Sequence, residues 1–172
     1  MVKAGVGMRY HFCPKCGGTL SIEKTKDPNK PKCTQCSFTF YQNPAVGVAA
    51  IVIKDKKLLM GKRQGSYAGQ WCIPCGYVEW DEDVYDAVVR EFFEETGLKI
   101  NISYVYTVLS NFHNPAQHTV GIWFMAEVAS GTEEAGDDLE EVEYFSYADM
   151  PVLAFPTDRD VIEKLKTEGF IN

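Results

Sequence analysis

The sequence predicts an α/β sandwich preceded by a small cysteine-rich segment. Three observations predict it. Apolar runs suited to strands are mixed with two well-separated helical patterns. Four cysteines crowd the first 40 residues, amid glycines and prolines and too few large apolar side chains for an independent core. The 172-residue chain is 45% hydrophobic and 13% aromatic, enough for a buried core and against disorder.

The formal charge is −7, from 17 Lys and Arg against 24 Asp and Glu. An acidic surface repels polyanions, so no stable nucleic-acid partner is expected. A phosphate-bearing substrate would need local help from metal ions and a few Arg or Lys residues. No stretch approaches the roughly 18 consecutive apolar residues of a membrane helix. Met1 to Tyr10 carries Lys3 and Arg9 and no apolar h-region, unlike a secretory signal. The expectation is a cytoplasmic protein without a membrane partner. In that compartment six cysteines point to metal or redox chemistry before structural disulfides.

The elements follow in chain order. Cys13-Pro-Lys-Cys16 and Cys33-Thr-Gln-Cys36 are two CxxC pairs with residues 17–32 between them. Two tight knuckles at this spacing offer four thiolates to one tetrahedral Zn²⁺, whose binding would supply folding energy that the segment lacks. Unligated thiols or two disulfides are the alternatives. A four-Cys site has no open position, so the zinc would be structural. The expected organisation is a ribbon over residues 1–40, with a short N-terminal extension, and a larger domain over 41–172.

Ala45 to Ile53 is a continuous apolar run rich in Val and Ile, which reads as a buried strand. Asp55-Lys56-Lys57 is a turn, and Leu58 to Arg63 returns as a second strand. Further strands are expected at Ile102 to Leu109, His118 to Val128 and Val142 to Ser146. One helix is expected from Asp83 to Thr96, stopped by Gly97. A second is expected from Asp158 to Glu168, with Thr157 as N-cap, Asp160 three residues on and Gly169 at its end.

The first helix carries the chemistry. At about 100° per residue, Glu91 and Glu95 share a stripe with Val84 and Val88. Phe92 and Val89 lie to the side and Phe93 lies opposite, which suggests a helix packed on more than one face. Carboxylates on a packed stripe need cations to offset desolvation. With Glu94 at the same cleft edge, an oxygen-only cluster suits Mg²⁺ or Mn²⁺. The bland alternative is an acidic surface helix with pairs such as Asp86 and Arg90.

The full spacing is Gly76-x5-Glu82-x7-Arg90-Glu91-Phe92-x-Glu94-Glu95-x-Gly97-Leu98. It matches every fixed position of the Nudix box, so the chain resembles a Nudix hydrolase. The resemblance extends less specifically over residues 45–156 and implies an α/β/α sandwich with a mixed sheet. It also implies a pyrophosphohydrolase that uses Mg²⁺ or Mn²⁺ on a nucleoside diphosphate linked to another moiety. By the same resemblance Glu91 and Glu95 are the main metal ligands, Glu94 a further one and the backbone carbonyl of Cys75 another. Arg90 would orient the carboxylates and Glu82 would hold Arg90. Glu94 and Glu141 are the candidate general bases. Cys75 and Asp81 stand where members often have Gly, but neither change removes a carboxylate.

Phe12-Cys13-Pro-Lys-Cys16-Gly17-Gly18, with Tyr41-Gln42-Asn43-Pro44 leading into the first strand, resembles the ribbon-bearing Nudix subgroup. That subgroup implies NADH, FAD or ADP-ribose as substrates and a possible homodimer. Ser110-Asn111-Phe112-His113-Asn114-Pro115 stands in place of the array carried by NADH-preferring members, which puts ADP-ribose or FAD ahead. Arg63, Trp71 and Phe112 are the candidate substrate contacts. Lys62, Tyr67, His113, His118 and Trp123 stand behind them, and each has an ordinary structural alternative.

Trp71-Cys72-Ile73-Pro74-Cys75 also resembles the WCxPC site of thioredoxin-like oxidoreductases. Such a site needs its first Cys at a helix N-terminus, and Gly76 to Trp80 intervene here. Two rivals to the leading reading remain. One is a nucleoside-triphosphate or RNA 5′-end pyrophosphohydrolase. The other is a zinc-ribbon nucleic-acid or protein binding module with a vestigial enzyme domain, suggested by Lys15, Lys24, Lys26, Lys30 and Lys32.

Overall fold

The computed structural model describes residues 9–172; residues 1–8, including Lys3 of the N-terminal extension, lie outside the described residues. The chain divides into two compact units, Met1–Asn43 and Pro44–Asn172. In the first, β1 (Leu20–Ser21) pairs antiparallel with β2 (Lys32–Cys33), setting Leu20 opposite Cys33. The hydrophobic cluster of this unit joins buried Cys13, Leu20 and Cys33, with Phe38 and Phe40 packed on them. So small a core leaves the cysteines to hold the unit together.

The second unit begins with β3 (Ala45–Lys54) and β4 (Lys57–Arg63). Asp55 and Lys56 both take positive φ, 51° and 62°, which closes a two-residue hairpin. Then come β5 (Trp71–Cys72), β6 (Cys75–Tyr77), α1 (Val84–Thr96), β7 (Leu98–Asn111), β8 (Thr119–Gly131), β9 (Leu139–Phe145) and α2 (Pro156–Thr167). The main sheet runs β5-β4-β3-β8-β7, with β6 also on β3 and β9 also on β4. β3 and β8 are parallel while the other pairs are antiparallel, so the sheet is mixed.

Alternation along β3 makes the layers. Val48, Ala50 and Val52 face α1, where Ala87, Val88 and Phe92 meet them. Ala49 and Ile51 face the other way, onto Val161, Ile162 and Leu165 of α2. The result is the expected α/β/α sandwich. Asp83 caps α1, its carboxylate accepting from the Tyr85 amide at 2.8 Å. Gly97 ends it at φ 69°, where its N–H donates to the Phe93 carbonyl at 2.9 Å.

Three expectations are corrected. α2 starts at Pro156, with Phe155 as N-cap and no side-chain cap, so Thr157 is inside the helix. Proline is preorganised for the first helical position, and that outweighs the capping preference of Thr157. Phe93 is 46% exposed, so α1 packs on one side only. β7 begins at Leu98, four residues before the expected start at Ile102.

Candidate active site

α1 and the strand before it build one wall of a cavity of about 560 Å³. Gly76, Glu91 and Glu95 line it together with Cys75. A Cβ on Gly76 would overlap the Glu91 carboxylate, so the box glycine is the gap that this side chain occupies. Glu95 is 1% exposed, and the Cys75 amide N–H donates to its Oε2 at 2.7 Å. Burial pushes the Glu95 carboxyl well above the usual carboxylate range, and neighbouring Cys72 and Asp138 push the same way. Burial also raises Glu91, against the pull of Arg90.

Arg90 ties the helix to the loop before it. Its Nε and Nη2 donate to the two Glu82 oxygens at 2.7 and 2.8 Å. Its Nη1 lies 2.9 Å from Glu91 Oε1 and 3.0 Å from Glu94 Oε2, and Nη2 donates to the Tyr77 carbonyl at 3.2 Å. This fork is why Arg suits the position and Lys does not. Hydrogen bonding to Arg90 holds the Glu82 carboxyl down at about 2.

Further acids come from the loop before β9. Glu134 and Gly136 donate backbone N–H bonds to the carbonyls of Thr96 and Glu95, at 2.9 and 3.0 Å, docking the loop on the end of α1. Asp137 and Asp138 thereby reach the cavity. Asp138 pairs with Arg63, while its Oδ1 is buried without a partner. Glu141, like Glu140, pairs with Lys62 on the outer side of β9 and does not line this cavity. Arg63 lines it, as do Tyr67, His113 and Trp123. Trp71 does not. It is 8% exposed and packs edge-on against Phe145 at 4.8 Å. Phe112 is 56% exposed and meets His118, and neither ring lines the cavity. Asp137, Asp138, Phe155 and Asp158 escaped the sequence reading because no spacing ties these distant segments to the box.

A divalent cation fits this wall on chemical grounds. Desolvated Glu91 and Glu95 and the orphaned Asp138 oxygen are all hard oxygen acceptors without enough donors. Glu94 is half exposed and engaged by Arg90. Among the described residues, the one compact cluster of potential metal ligands is Cys13, Cys16, Cys33 and Cys36, whose sulfurs all lie within 4.8 Å of one another. Three of the separations are 3.5, 3.6 and 3.8 Å. The edge of a ZnS₄ tetrahedron with Zn–S of about 2.3 Å is about 3.8 Å. Backbone N–H groups of Gln35 and Cys36 point at Cys33 Sγ, both at 3.4 Å, and lower its pKa to about 6. These four cysteines therefore suit a thiophilic metal ion.

Cys72 and Cys75 do not sit at a helix N-terminus. Cys72 is fully buried in β5, and its thiol together with burial raises Cys75 well above the usual thiol range. Both features oppose the redox reading.

A sandwich with a glycine on β6 set against this arginine and carboxylate arrangement on α1 defines a hydrolase class. The NUDIX domain family matches residues 43–165, and the chain belongs to that family. It is 37% identical over 131 residues to an ADP-ribose pyrophosphatase of Methanocaldococcus jannaschii, covering 75% of this chain and 78% of that one. It is 29% identical over 161 residues to the NAD-capped RNA hydrolase NudC of Haemophilus influenzae, covering 91% of this chain and 58% of that one. The chain thus spans little more than half the length of NudC. Among solved structures, a NUDIX hydrolase from Nitrosomonas europaea superposes with TM-score 0.80 at 29% identity, covering 93% of this chain and 92% of that one. Among the described residues no helix is long and apolar enough to cross a membrane.

Proposed function

We propose that the chain is a Mg²⁺- or Mn²⁺-dependent pyrophosphohydrolase. Its substrate is a nucleoside diphosphate linked to another moiety, with ADP-ribose ahead of FAD and NAD(H)-like molecules. Water adds to one phosphorus, the bridging P–O bond breaks, and a nucleoside monophosphate leaves beside a phosphorylated second product. The observation that carries this reading is the desolvated Glu91 and Glu95 pair on the cavity wall, braced by Arg90. The bound metal would neutralise diphosphate charge and acidify the attacking water. Glu91 and Glu95, with the Cys75 carbonyl, would hold it, and Asp138 would supply a further oxygen. Arg90 keeps Glu82, Glu91 and Glu94 in register. Arg63, at the cavity edge, gives the diphosphate a cation. With Asp138 given to the metal, Asp137 would take the proton from water in place of Glu141, which does not line the cavity. The four-cysteine cluster would hold one structural Zn²⁺.

A second reading has one specific support. The match to NudC runs through 91% of this chain, whereas the match to the ADP-ribose pyrophosphatase covers 75%. An NAD-type RNA 5′ end carries the same diphosphate linkage. A panel of ADP-ribose, FAD, NADH, NAD-capped RNA and nucleoside triphosphates with Mg²⁺ or Mn²⁺ tests both. AMP and ribose 5-phosphate from ADP-ribose as the fastest reaction are expected. Pyrophosphate from a triphosphate as the main product would overturn the reading.

A further inference from the structure

The same cavity also holds a buried donor and a buried acceptor that the hydrolytic chemistry leaves unused. Asp158 lies in the first turn of α2 and is 2% exposed, yet it lines the cavity. Its Oδ2 accepts from the Ile73 amide N–H at 3.1 Å. Trp123, on β8, is 5% exposed and lines the same space. Its indole N–H is close enough to favour ionised Asp158, yet it completes no hydrogen bond with any protein acceptor. Burial leaves the Asp158 carboxyl short of donors and raises its pKa to about 7. An indole nitrogen only donates and an ionised carboxylate only accepts. A ligand edge carrying an N–H donor beside an acceptor satisfies both at once, and leaving either group unmet is costly in a buried site.

The adjoining surface suits a flat ring. Tyr67 packs edge-on against Phe155 at 5.4 Å, and its hydroxyl lies 3.0 Å from His113 Nε2. All three line the cavity. We propose that Asp158 and Trp123 are specificity-determining residues that read the amino-bearing edge of a planar heterocycle, with Trp123 donating to its acceptor and Asp158 accepting from its N–H. The inference rests on the reading of this cavity as the substrate site. Two halves of such substrates offer that edge: adenine, through its 6-amino group and neighbouring ring nitrogen, and nicotinamide, through its carboxamide.

The test is an NMR titration of the protein with ¹⁵N-labelled tryptophan indoles, in which Trp123→Phe assigns the Trp123 resonance. The ligands are AMP, its analogue lacking the 6-amino group, nicotinamide mononucleotide, nicotinic acid mononucleotide and ribose 5-phosphate. AMP or nicotinamide mononucleotide should move the Trp123 resonance and bind about tenfold more tightly than its amino-lacking counterpart. Whichever of the two does so names the half of the substrate that sits here. In Asp158→Asn the Ile73 N–H would hold the amide oxygen and turn its NH₂ toward the ligand. That variant should keep the fold and lose the tenfold preference. An equal shift with ribose 5-phosphate, no shift with any ligand, or an undiminished preference in Asp158→Asn would overturn the proposal. Hydrolysis with an unmoved Trp123 resonance would defeat this inference alone. An amino-selective shift without metal-dependent hydrolysis would defeat the catalytic reading alone.

Discussion

Gly76 and the acids around it show how single residues set this site. The Glu91 carboxylate occupies the space where a Cβ of residue 76 would stand. Gly76→Ala should therefore displace Glu91, costing about 1–3 kcal/mol of stability and most of the activity; urea unfolding and a hydrolysis assay measure the two effects. The buried acids also make metal-free stability depend on pH. Glu91, Glu95 and Asp158 all hold protons more tightly when folded than when unfolded, Asp158 moving from 3.8 to about 7. Stability from such groups is complete below the unfolded pKa and is lost as pH rises through the folded one. Glu82 works oppositely: held at about 2, it stabilises above the usual carboxylate range and stops doing so as pH falls toward 2. The metal-free protein should lose stability between pH 5 and 8, and Mg²⁺ should restore part of it at pH 8. Urea midpoints at the two pH values, with and without Mg²⁺, check this.

At the scale of elements, α1 was readable to within a residue because its start, stop and chemistry all lie in one segment. Asp83→Ala should cost about 1 kcal/mol through the lost cap, as a lower urea midpoint at unchanged slope. The strands were found from their apolar runs, but the long hairpin of β7 and β8 was cut short. Register shifts at Lys99/Ile100, Ile102/Tyr104 and Val105/Thr107 break the two-residue alternation from which a strand is read. The acidic loop misled for a related reason. A register shift at Lys62/Arg63, opposite Leu139 and Glu141, leaves both Glu140 and Glu141 beside Lys62, while Asp137 and Asp138 precede β9 and line the cavity.

Across the whole molecule, the part of the site held in one continuous segment was legible as a whole, and the part assembled by folding only as single residues such as Arg63, Tyr67, His113 and Trp123. Gly76, Glu82, Arg90, Glu91, Glu94 and Glu95 come together at fixed spacing. Asp137, Asp138, Phe155 and Asp158 join them only because folding brings remote segments to one cavity. Trp71 and Phe112 had the chemistry of stacking residues, but packing sends one into the core and the other out to His118. The cysteine unit is the other long-range assembly. It should hold one zinc per chain by elemental analysis, and a chelator should unfold it, seen as lost ribbon amide protection, while the residues of the larger unit stay protected. The central claim is that Glu91 and Glu95 hold a divalent cation that drives diphosphate hydrolysis. Its most direct measurement is the rate of AMP formation from ADP-ribose with Mg²⁺, in the natural chain and in Glu95→Gln. The rate should fall about 10²-fold or more with an unchanged circular dichroism spectrum. Unchanged turnover in Glu95→Gln would contradict the claim.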